Sequence, residues 1–423
     1  MLGRLVSCLV VASCLAGIAA CSGDSDDRAP QVIEVQAGES IQAAVDRARA
    51  GDLVLVQPGV YHEAVVIDRA GVSLRGVDRN TVVLDGQGEL GNGILVMADG
   101  VSVENLTVHH YTVNGVVFNG VGESGDEQQL TGFRIAYVTA YDNGLYGLYA
   151  FQATDGVIVD SYASGHQDSG IYVGQCGNPF RGDESTGTTP ADPAPCNVLV
   201  QRTTAELNAV GFEGTNASQV WVVESVFRNN RIGITPNSQS LERRPPATEA
   251  VIVGNLVIDN DTADAPEQGS GGFGLGIAVG SGVGNLILRN RVIGHDGIGI
   301  TVTLLDRFTP LQNRVEGNVL ADNSVDLAYW LTGGPTDSHG NCFVGNDFIT
   351  SSPEDIETVL PCDKVVIIDA PVLELLRSPA GPKPFDVPAP PEQPTMPGDV
   401  RAFPAKPSFT EPDVDAIQVP PAP

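Results

Sequence analysis

One short hydrophobic phrase recurs along the middle of the chain: a glycine, an aliphatic residue, one variable residue and usually another apolar one. Its copies begin at Gly115, Gly147, Gly170, Gly211, Gly233, Gly276 and Gly299. The closest copies lie 22 or 23 residues apart, as between Gly147 and Gly170 or between Gly211 and Gly233. A fixed period in this range predicts a solenoid, in which each repeat buries its apolar side chains against the next.

A second phrase accompanies the first and consists of apolar positions around a polar centre, beginning at Val103, Val159, Val200, Val223, Val253, Leu288 and Val315. Polar turn residues separate the two phrases, namely Asn143, Asn208, Asn230 and His295. Asparagine tolerates left-handed backbone, and stacked turns let such side chains form ladders. These runs are too short for helices, so we predict an all-β fold, a parallel β-helix of about ten coils.

The helical spacing of Ile41, Ala44, Val45 and Ala48 behind Ser40 predicts one amphipathic helix before the first strands. Such a helix is suited to cover the end of a solenoid core. We assign the β-helix domain to residues 32–370.

The coil breaks its period at residues 122–130, 177–195, 238–248 and 261–272, which we expect to form loops on its faces. Residues 371–423 are rich in proline and predict an extended, mostly unpacked tail.

The N-terminus has the pattern of a bacterial lipoprotein signal peptide. Arg4 precedes an apolar stretch that ends in small residues before Cys21. We predict a signal peptide at 1–20, lipidation of Cys21, a tether at 21–31, and an exported protein held to the cell envelope by that lipid alone. The alternative is an ordinary signal peptide in which the cysteine is incidental.

The formal net charge of −29 at pH 7 argues against a nucleic-acid partner, because binding to phosphates requires a basic surface. It also disfavours polyanionic glycans unless Ca²⁺ bridges the two molecules.

Four cysteines remain once the signal segment and Cys21 are set aside, and an even number in an oxidising compartment predicts two disulfides. Three pairings of Cys176, Cys196, Cys342 and Cys362 are possible, of which the local ones each close a short loop.

The stretch from Ile41 through the Gly51-Asp52 stop to Pro58-Gly59-Val60-Tyr61 resembles the opening of pectin-lyase-like right-handed parallel β-helix proteins. The resemblance covers about residues 35–350 and implies that fold. A narrower resemblance, in residues 146–149 and 170–175, is to an exported bacterial tandem β-helix-repeat family with no assigned activity.

The catalytic motifs of related enzymes are altered here. Tyr149 and Phe151 occupy the positions of the Asp and His in the mannuronan epimerase motif Y-G-[FI]-D-P-H. Arg231-Ile232-Gly233 lacks the lysine of the polygalacturonase R-I-K. The run from Trp221 to Glu224 lacks both functional residues of the pectate lyase W-I-D-H. The resemblance therefore does not carry any of these activities over.

The variable residue of the glycine phrase should point outward, since the aliphatic ones point inward. This places Tyr149, Tyr172 and Glu213 on one outer face, where aromatic rings and a carboxylate suit a sugar chain. The amides that we expect to bind its hydroxyls follow five residues after each glycine: Gln152, Gln175 and Asn216. The alternative is an outer strand face with no ligand.

For catalysis we nominate Glu213, His166 and Asp168 as acid–base groups. The alternative for His166 is a place in a turn ladder, as expected for His295.

We predict no metal site. His109 and His110 are adjacent on a strand and should point to opposite sides. Ca²⁺ is a possible cofactor through Asp261, Asp264 and Glu267 in one insertion.

The leading functional hypothesis is an envelope lipoprotein that binds or processes an extended polysaccharide on the outer face of the β-helix, as a lyase, hydrolase or epimerase if it is an enzyme. The alternative is a non-catalytic envelope scaffold whose coils and tail bind a protein. A monomer is expected. An accessory role to a periplasmic metalloenzyme is disfavoured by the lack of a His/Met/Cys cluster in the sequence.

Overall fold

The computed structural model describes residues 28–120, 129–177, 195–269 and 271–423. The predicted signal peptide, Cys21 and most of the tether lie outside these ranges. Within them the chain forms a right-handed parallel β-helix, as the sequence predicts, built from three long parallel sheets. No helix among the described residues is both long and apolar enough to cross a membrane.

The three sheets run the length of the solenoid, and each coil contributes one strand to each sheet. Sheet 1 contains Val32–Val35, Leu53–Val56, Ser73–Gly76, Val101–Glu104, Leu130–Ala136, Ala153–Val159, Val198–Gln201, Val220–Val223, Val251–Val253, Leu286–Leu288, Arg314–Glu316 and Cys342–Val344. Sheet 2 contains Gly59–Tyr61, Val82–Asp85, Thr107–His109, Thr139–Tyr141, Tyr162–Ser164, Thr204–Glu206, Val226–Arg228, Leu256–Ile258, Arg291–Ile293 and Val319–Ala321. Sheet 3 contains Val65–Ile67, Asn92–Val96, Asn114–Asn119, Leu148–Phe151, Ser169–Gly174, Val210–Thr215, Ile232–Asn237, Leu275–Gly280, Ile298–Thr303, Val325–Trp330 and Ser351–Ser352.

Helix α1 (Ile41–Arg47) contacts the first strands of the solenoid through its buried residues Ile41, Ala44 and Val45. The Ser40 side chain caps it by accepting a hydrogen bond from the Ala43 N–H. A short helix α2 (Ile356–Val359) and an antiparallel pair, Gly334–Asp337 with Ile367–Ala370, lie at the other end.

The glycine phrase has a packing cause. A Cβ on Gly211 would lie 2.5 Å from the Gly233 carbonyl oxygen, and one on Gly233 would lie 2.5 Å from that of Gly276. These distances leave no room for a side chain between consecutive coils. The apolar residue after each glycine points inward and is buried. These residues pair strand to strand, and Leu327, which follows Asp326, continues their column: Val116, Leu148, Ile171, Phe212, Ile234, Ile277, Ile300 and Leu327.

Amide ladders lie at the corners between the sheets. The one between sheets 2 and 3, where Asn208 donates to Asn230 over 3.0 Å, confirms the predicted stacking of turn residues. Between sheets 1 and 2, Asn255 donates to Asn290 over 2.9 Å, and Asn290 donates to Asn318 over 3.0 Å. Each of these amides also donates to a backbone carbonyl, as Asn290 does to that of Ile252. The ladder therefore satisfies buried polar groups that no water can reach.

Both disulfides are the local pairs: Cys176–Cys196 with Cα atoms 5.3 Å apart, and Cys342–Cys362 with Cα atoms 4.9 Å apart. The first closes the base of one insertion, and the second ties α2 and its neighbours to the last strand of sheet 1.

The proline-rich tail is extended, but the expectation that it is mostly unpacked is wrong. From Ala370 it runs back along the solenoid towards the first coils, where the Gln393 N–H donates to the Asn80 side chain. It then turns and follows sheet 1, where Phe409 packs on Trp221 with ring centroids 4.7 Å apart. Ile417 is buried against the same face.

Arginine side chains hold the tail by donating to its backbone carbonyls. Arg75 binds the carbonyls of Val400 and Ala402 at 2.9 and 2.7 Å. Further contacts of the same kind join Arg79 to Pro394, Arg231 to Pro379, Arg289 to Val414 and Ile417, and Arg291 to Pro420. Proline has no N–H, so a proline-rich backbone offers mainly acceptors, which a guanidinium group satisfies.

Replacing Asn290 with leucine should lower the free energy of unfolding by about 2–4 kcal/mol, because the Asn255 N–H and the Ile252 carbonyl would each lose a buried partner. Urea denaturation followed by circular dichroism measures this. The exposed residue Gln167 provides the control, and Gln167→Leu should change stability by less than about 0.5 kcal/mol. Equal effects of the two changes would contradict a stabilising ladder.

Removing the Phe409 ring should expose Trp221, which is only 6 % accessible beneath the tail. Phe409→Ala should therefore shift the tryptophan emission maximum to longer wavelength. Phe403→Ala removes a solvent-exposed ring from the same tail and should leave the spectrum unchanged. An unchanged spectrum in both variants would show that the tail does not cover sheet 1 in solution.

Candidate functional site

The side chains predicted to point outward from sheet 3 do so, as the alternation of side chains along a strand requires. Tyr149 pairs with Tyr172, and Tyr172 pairs with Glu213, on three consecutive strands. The two tyrosine rings lie 4.8 Å apart between centroids. The sequence therefore predicts how these residues lie relative to one another. It does not predict which segments cover them.

The two tyrosines do not form an open platform for sugar rings. Tyr146 stacks on Tyr149 with centroids 4.4 Å apart and an angle of 10° between the rings. Tyr172 is only 2 % exposed, and its hydroxyl donates to Glu242 over 3.3 Å. The predicted substrate-binding role of Tyr172 is wrong, because the insertion that carries Glu242 folds over it. Tyr149 is half-buried beneath Tyr146.

The predicted amides are also occupied or buried. Gln175 donates to Glu242 over 2.7 Å, and Asn216 donates to the carbonyls of Gln239 and Arg243. Gln152 is fully buried. All three predicted amides, Gln152, Gln175 and Asn216, have positive φ, so they lie in the corner turn after sheet 3 and not on its outer face. The prediction that they bind hydroxyl groups is therefore wrong; Gln175 and Asn216 instead anchor the insertion at 238–248.

His166 lies inside the solenoid, in the ladder between sheets 2 and 3. Its Nδ1 is 2.7 Å from Asn208 Oδ1 and its Nε2 is 3.2 Å from Asn143 Nδ2. Complete burial lowers the pKa of His166 to about 4. The predicted acid–base role is wrong, since both ring nitrogens are bonded and neither reaches the surface. His295 occupies the equivalent place, between Asn260 and Asn323.

Asp168 and Glu213 do come together. The Ser169 hydroxyl lies between them, 3.1 Å from Asp168 Oδ1 and 2.9 Å from Glu213 Oε2. Thr215 and Asn237 each donate to Glu213 Oε1 over 3.0 Å. The two carboxyl groups are therefore linked through the Ser169 hydroxyl.

Burial is the main cause of the unusual proton affinity of this pair, and the neighbouring Asp168 adds to it. Together they raise the pKa of Glu213 to about 8. Burial also raises the pKa of Asp168. Since like charges in a poorly solvated place cannot both ionise, the pair retains a proton at neutral pH.

Glu213 stands at one end of a cleft of about 350 Å³ on the outer face of sheet 3. Its floor continues along the same outward column through Thr235, Ala278 and Thr301. We call this the outer cleft. Its walls come from the insertion that carries Gln268, the loop at Leu305 and Asp306, Trp330, and Leu375 of the tail. None of the described residues that line it carries a positive charge.

Asp306 is a second carboxyl group in the outer cleft. Partial burial works against its ionisation, but N–H groups of Ser240 and Arg307 donate to it and keep its pKa below the ordinary value. The outer cleft therefore holds one carboxyl that keeps its proton, Glu213, and one that is ionised, Asp306. Environments that separate two carboxyl pKa values in this way are typical of acid–base sites.

Sequence reasoning missed Asp306, Gln268, Trp330 and Leu375. The sequence predicts only that the insertion at 261–272 forms a loop on a face of the solenoid, and Gln268 donates from it to Asp168 over 2.9 Å. Asp306 and Leu375 lie outside the repeated sequence pattern, so the pattern gives no indication that they line the cleft. Asp261, Asp264 and Glu267, proposed for Ca²⁺, do not form a group with ligand spacing among the residues that the structure describes.

No family model matches the chain, and no curated protein matches it. Among solved structures it is similar to a protein of Geobacillus virus E2, ORF18, with a TM-score of 0.52 and 13 % identity, over 76 % of this chain and 62 % of that one. The chain thus spans about three fifths of that viral protein.

Weaker similarities join it to two enzymes. The A-module of the Azotobacter vinelandii mannuronan C-5 epimerase AlgE4 gives a TM-score of 0.47 and 15 % identity over 74 % of this chain and 90 % of that one. The pectate lyase Pel9A gives 0.42 and 14 % over 78 % and 81 %. At 13 % identity the similarity to the viral protein shows a shared fold and nothing further.

Proposed function

We propose that this protein is a polysaccharide-processing enzyme that binds a neutral sugar chain in the outer cleft and hydrolyses a glycosidic bond there. The observation that carries the proposal is the presence of a protonated carboxyl, Glu213, and an ionised one, Asp306, in a single walled cleft. Hydrolysis of a glycosidic bond uses such a pair, one as acid and one as base.

Each group has a defined task. Glu213 donates its proton to the departing sugar oxygen, and the negative charge of Asp168 beside it stabilises the protonated form. Asp306 accepts a proton from the attacking water. Trp330 and the floor of the cleft supply a surface on which pyranose faces pack. The sequence analysis predicted this role for Tyr149 and Tyr172.

The charge of the cleft favours a neutral substrate. Its lining includes the ionised Asp306 and, among the described residues, no Lys, Arg or His that could neutralise a uronate. The chain as a whole has a net charge of −29. Uronic acid chains would therefore be repelled unless a cation accompanied them.

The Glu213→Gln variant tests the acid role. Reducing-end release should be screened on neutral glucans, xylans, mannans and fructans, with pectate and alginate as acidic comparisons. On the neutral substrate that is cleaved, Glu213→Gln and Asp306→Asn should each lower kcat at least about 100-fold, because each removes a proton-transfer group. Asp322→Asn, an exposed carboxyl outside the cleft, should retain full activity.

Full activity of Glu213→Gln would refute the catalytic assignment. If no glycan is cleaved, binding should be measured by affinity electrophoresis with the wild type and Thr301→Trp, which fills the floor of the cleft. Binding that Thr301→Trp abolishes would indicate a glycan-binding protein without catalysis. No glycan binding at all would favour the envelope scaffold.

The pH profile should follow the proton on Glu213. Its pKa is raised to about 8, so the active protonated form is present below that value and is lost as the pH rises through it. We expect kcat/KM to fall about tenfold per pH unit above about 8. A fall centred near 4.5 instead would indicate that Glu213 is an ordinary carboxylate in the free enzyme.

We further propose that the protein acts outside the cytoplasm, anchored by a lipid on Cys21. Two disulfides support an oxidising compartment. Cys21→Ser should move the protein from the membrane fraction to the soluble fraction and abolish labelling with radioactive palmitate. Cys14→Ser, a cysteine inside the predicted signal segment, is the control and should change neither property.

A further inference from the structure

Three of the six histidines of the chain lie together near its N-terminal end, on the outer face of sheet 2. Asp85 and His109 are directly paired on neighbouring strands, and His62 follows the strand before them. Three consecutive coils therefore place an imidazole, a carboxylate and a second imidazole in one outward column.

His110 joins this column because of its backbone. The alternation of a strand would direct it away from His109, as the sequence analysis expected. In the structure His110 has a φ of 56°, in the left-handed region, since the strand ends at His109. The turn brings the Nδ1 atoms of the two rings within 2.7 Å of one another.

The distances from the two histidines to Asp85 fit a shared ion better than direct hydrogen bonds. The Nδ1 atoms of His109 and His110 each lie 3.6 Å from Asp85 Oδ1, which is too long for a hydrogen bond. Tetrahedral ligands about 2.0–2.1 Å from Zn²⁺ are separated by roughly 3.3–3.4 Å. The two edges to Asp85 are close to this length, and the 2.7 Å edge between the two Nδ1 atoms would have to lengthen when an ion binds.

A third histidine and a second carboxylate lie beside this group. His62 Nδ1 lies 3.7 Å from the other carboxylate oxygen of Asp85. Asp142 is almost fully buried with its Oδ2 4.0 Å from His110 Nε2, and its Oδ1 has no hydrogen-bond partner among the described residues. Metal-bound histidines usually direct their second nitrogen at such a carboxylate, which fixes the ring.

We infer that Asp85, His109 and His110, with His62 as fourth ligand, form a site for a divalent transition-metal ion of the zinc type. Imidazole nitrogen with one carboxylate is a donor set that suits Zn²⁺ and disfavours Ca²⁺ or Mg²⁺. The side chains of His110 and His62 are 36 % and 47 % exposed, so an ion can enter from solvent. The outer cleft lies on a different sheet, and this inference does not depend on it.

Protein treated with chelator should be titrated with Zn²⁺ in competition with a fluorescent zinc indicator. We expect one Zn²⁺ per chain in the wild type and at least about 100-fold weaker binding in His109→Ala plus His110→Ala. His339→Ala removes a surface histidine that is paired only with Asp337, and it should bind Zn²⁺ like the wild type.

Two further variants guard against loss of folding, since His109 is buried and stacks on Tyr141. His110→Ala alters a half-exposed side chain and should weaken binding about 10–100-fold. Asp85→Asn keeps the acceptor for the Gln87 N–H and should weaken binding similarly. Thermal unfolding in EDTA should be the same for these variants and the wild type.

Cobalt gives an independent readout. Co²⁺ in the wild type should produce visible absorption bands of a tetrahedral site, and these should be absent from the double variant. Ca²⁺ should not displace either metal. The inference is overturned if the wild type binds Zn²⁺ no more tightly than the double variant, or if His339→Ala removes the binding.

Discussion

Close vertical stacking of successive coils is the constraint on which the rest of the structure depends. A Cβ on Gly211 or Gly233 would lie 2.5 Å from a carbonyl oxygen of the next coil. The same stacking brings Asn255 within hydrogen-bond distance of Asn290. Because every coil is fixed to its neighbours at the corners, residues at the same place in successive coils face each other despite the insertions. Outward columns such as the one carrying Glu213 therefore become continuous surfaces.

The long outer faces of a solenoid must either remain polar or be covered. Sheet 1 carries Trp221, Val223 and Val253 on its outside, and the tail covers them with Phe409 and Ile417. The tail cannot join the sheet as a strand because its prolines lack N–H groups. Instead, arginine side chains donate hydrogen bonds to the carbonyl groups of the tail. These bonds hold the tail along most of the solenoid although it forms little secondary structure.

The chemistry of the site follows from which faces remain open. On sheet 3, the insertion at 238–248 buries Tyr172 and leaves the column beyond Glu213 as the floor of a cleft. Burial prevents Tyr172 from contacting a ligand, and burial also raises the pKa of Glu213. The environment of Asp306 has the opposite effect, because backbone N–H groups reach its carboxylate. Two carboxyl groups thus acquire different protonation states within a single cleft.

The sequence by itself determined the fold, since the glycine period, the inward aliphatic residues and the turn asparagines are local features that stacking turns into columns. It also determined that Tyr149, Tyr172 and Glu213 share a face and that Asp168 is near them. Only the tertiary structure decided which of these residues are accessible. The path of the tail, the side on which each insertion folds, and the left-handed turn that joins His110 to His109 and Asp85 depend on contacts between residues far apart in sequence, for which periodicity gives no signal.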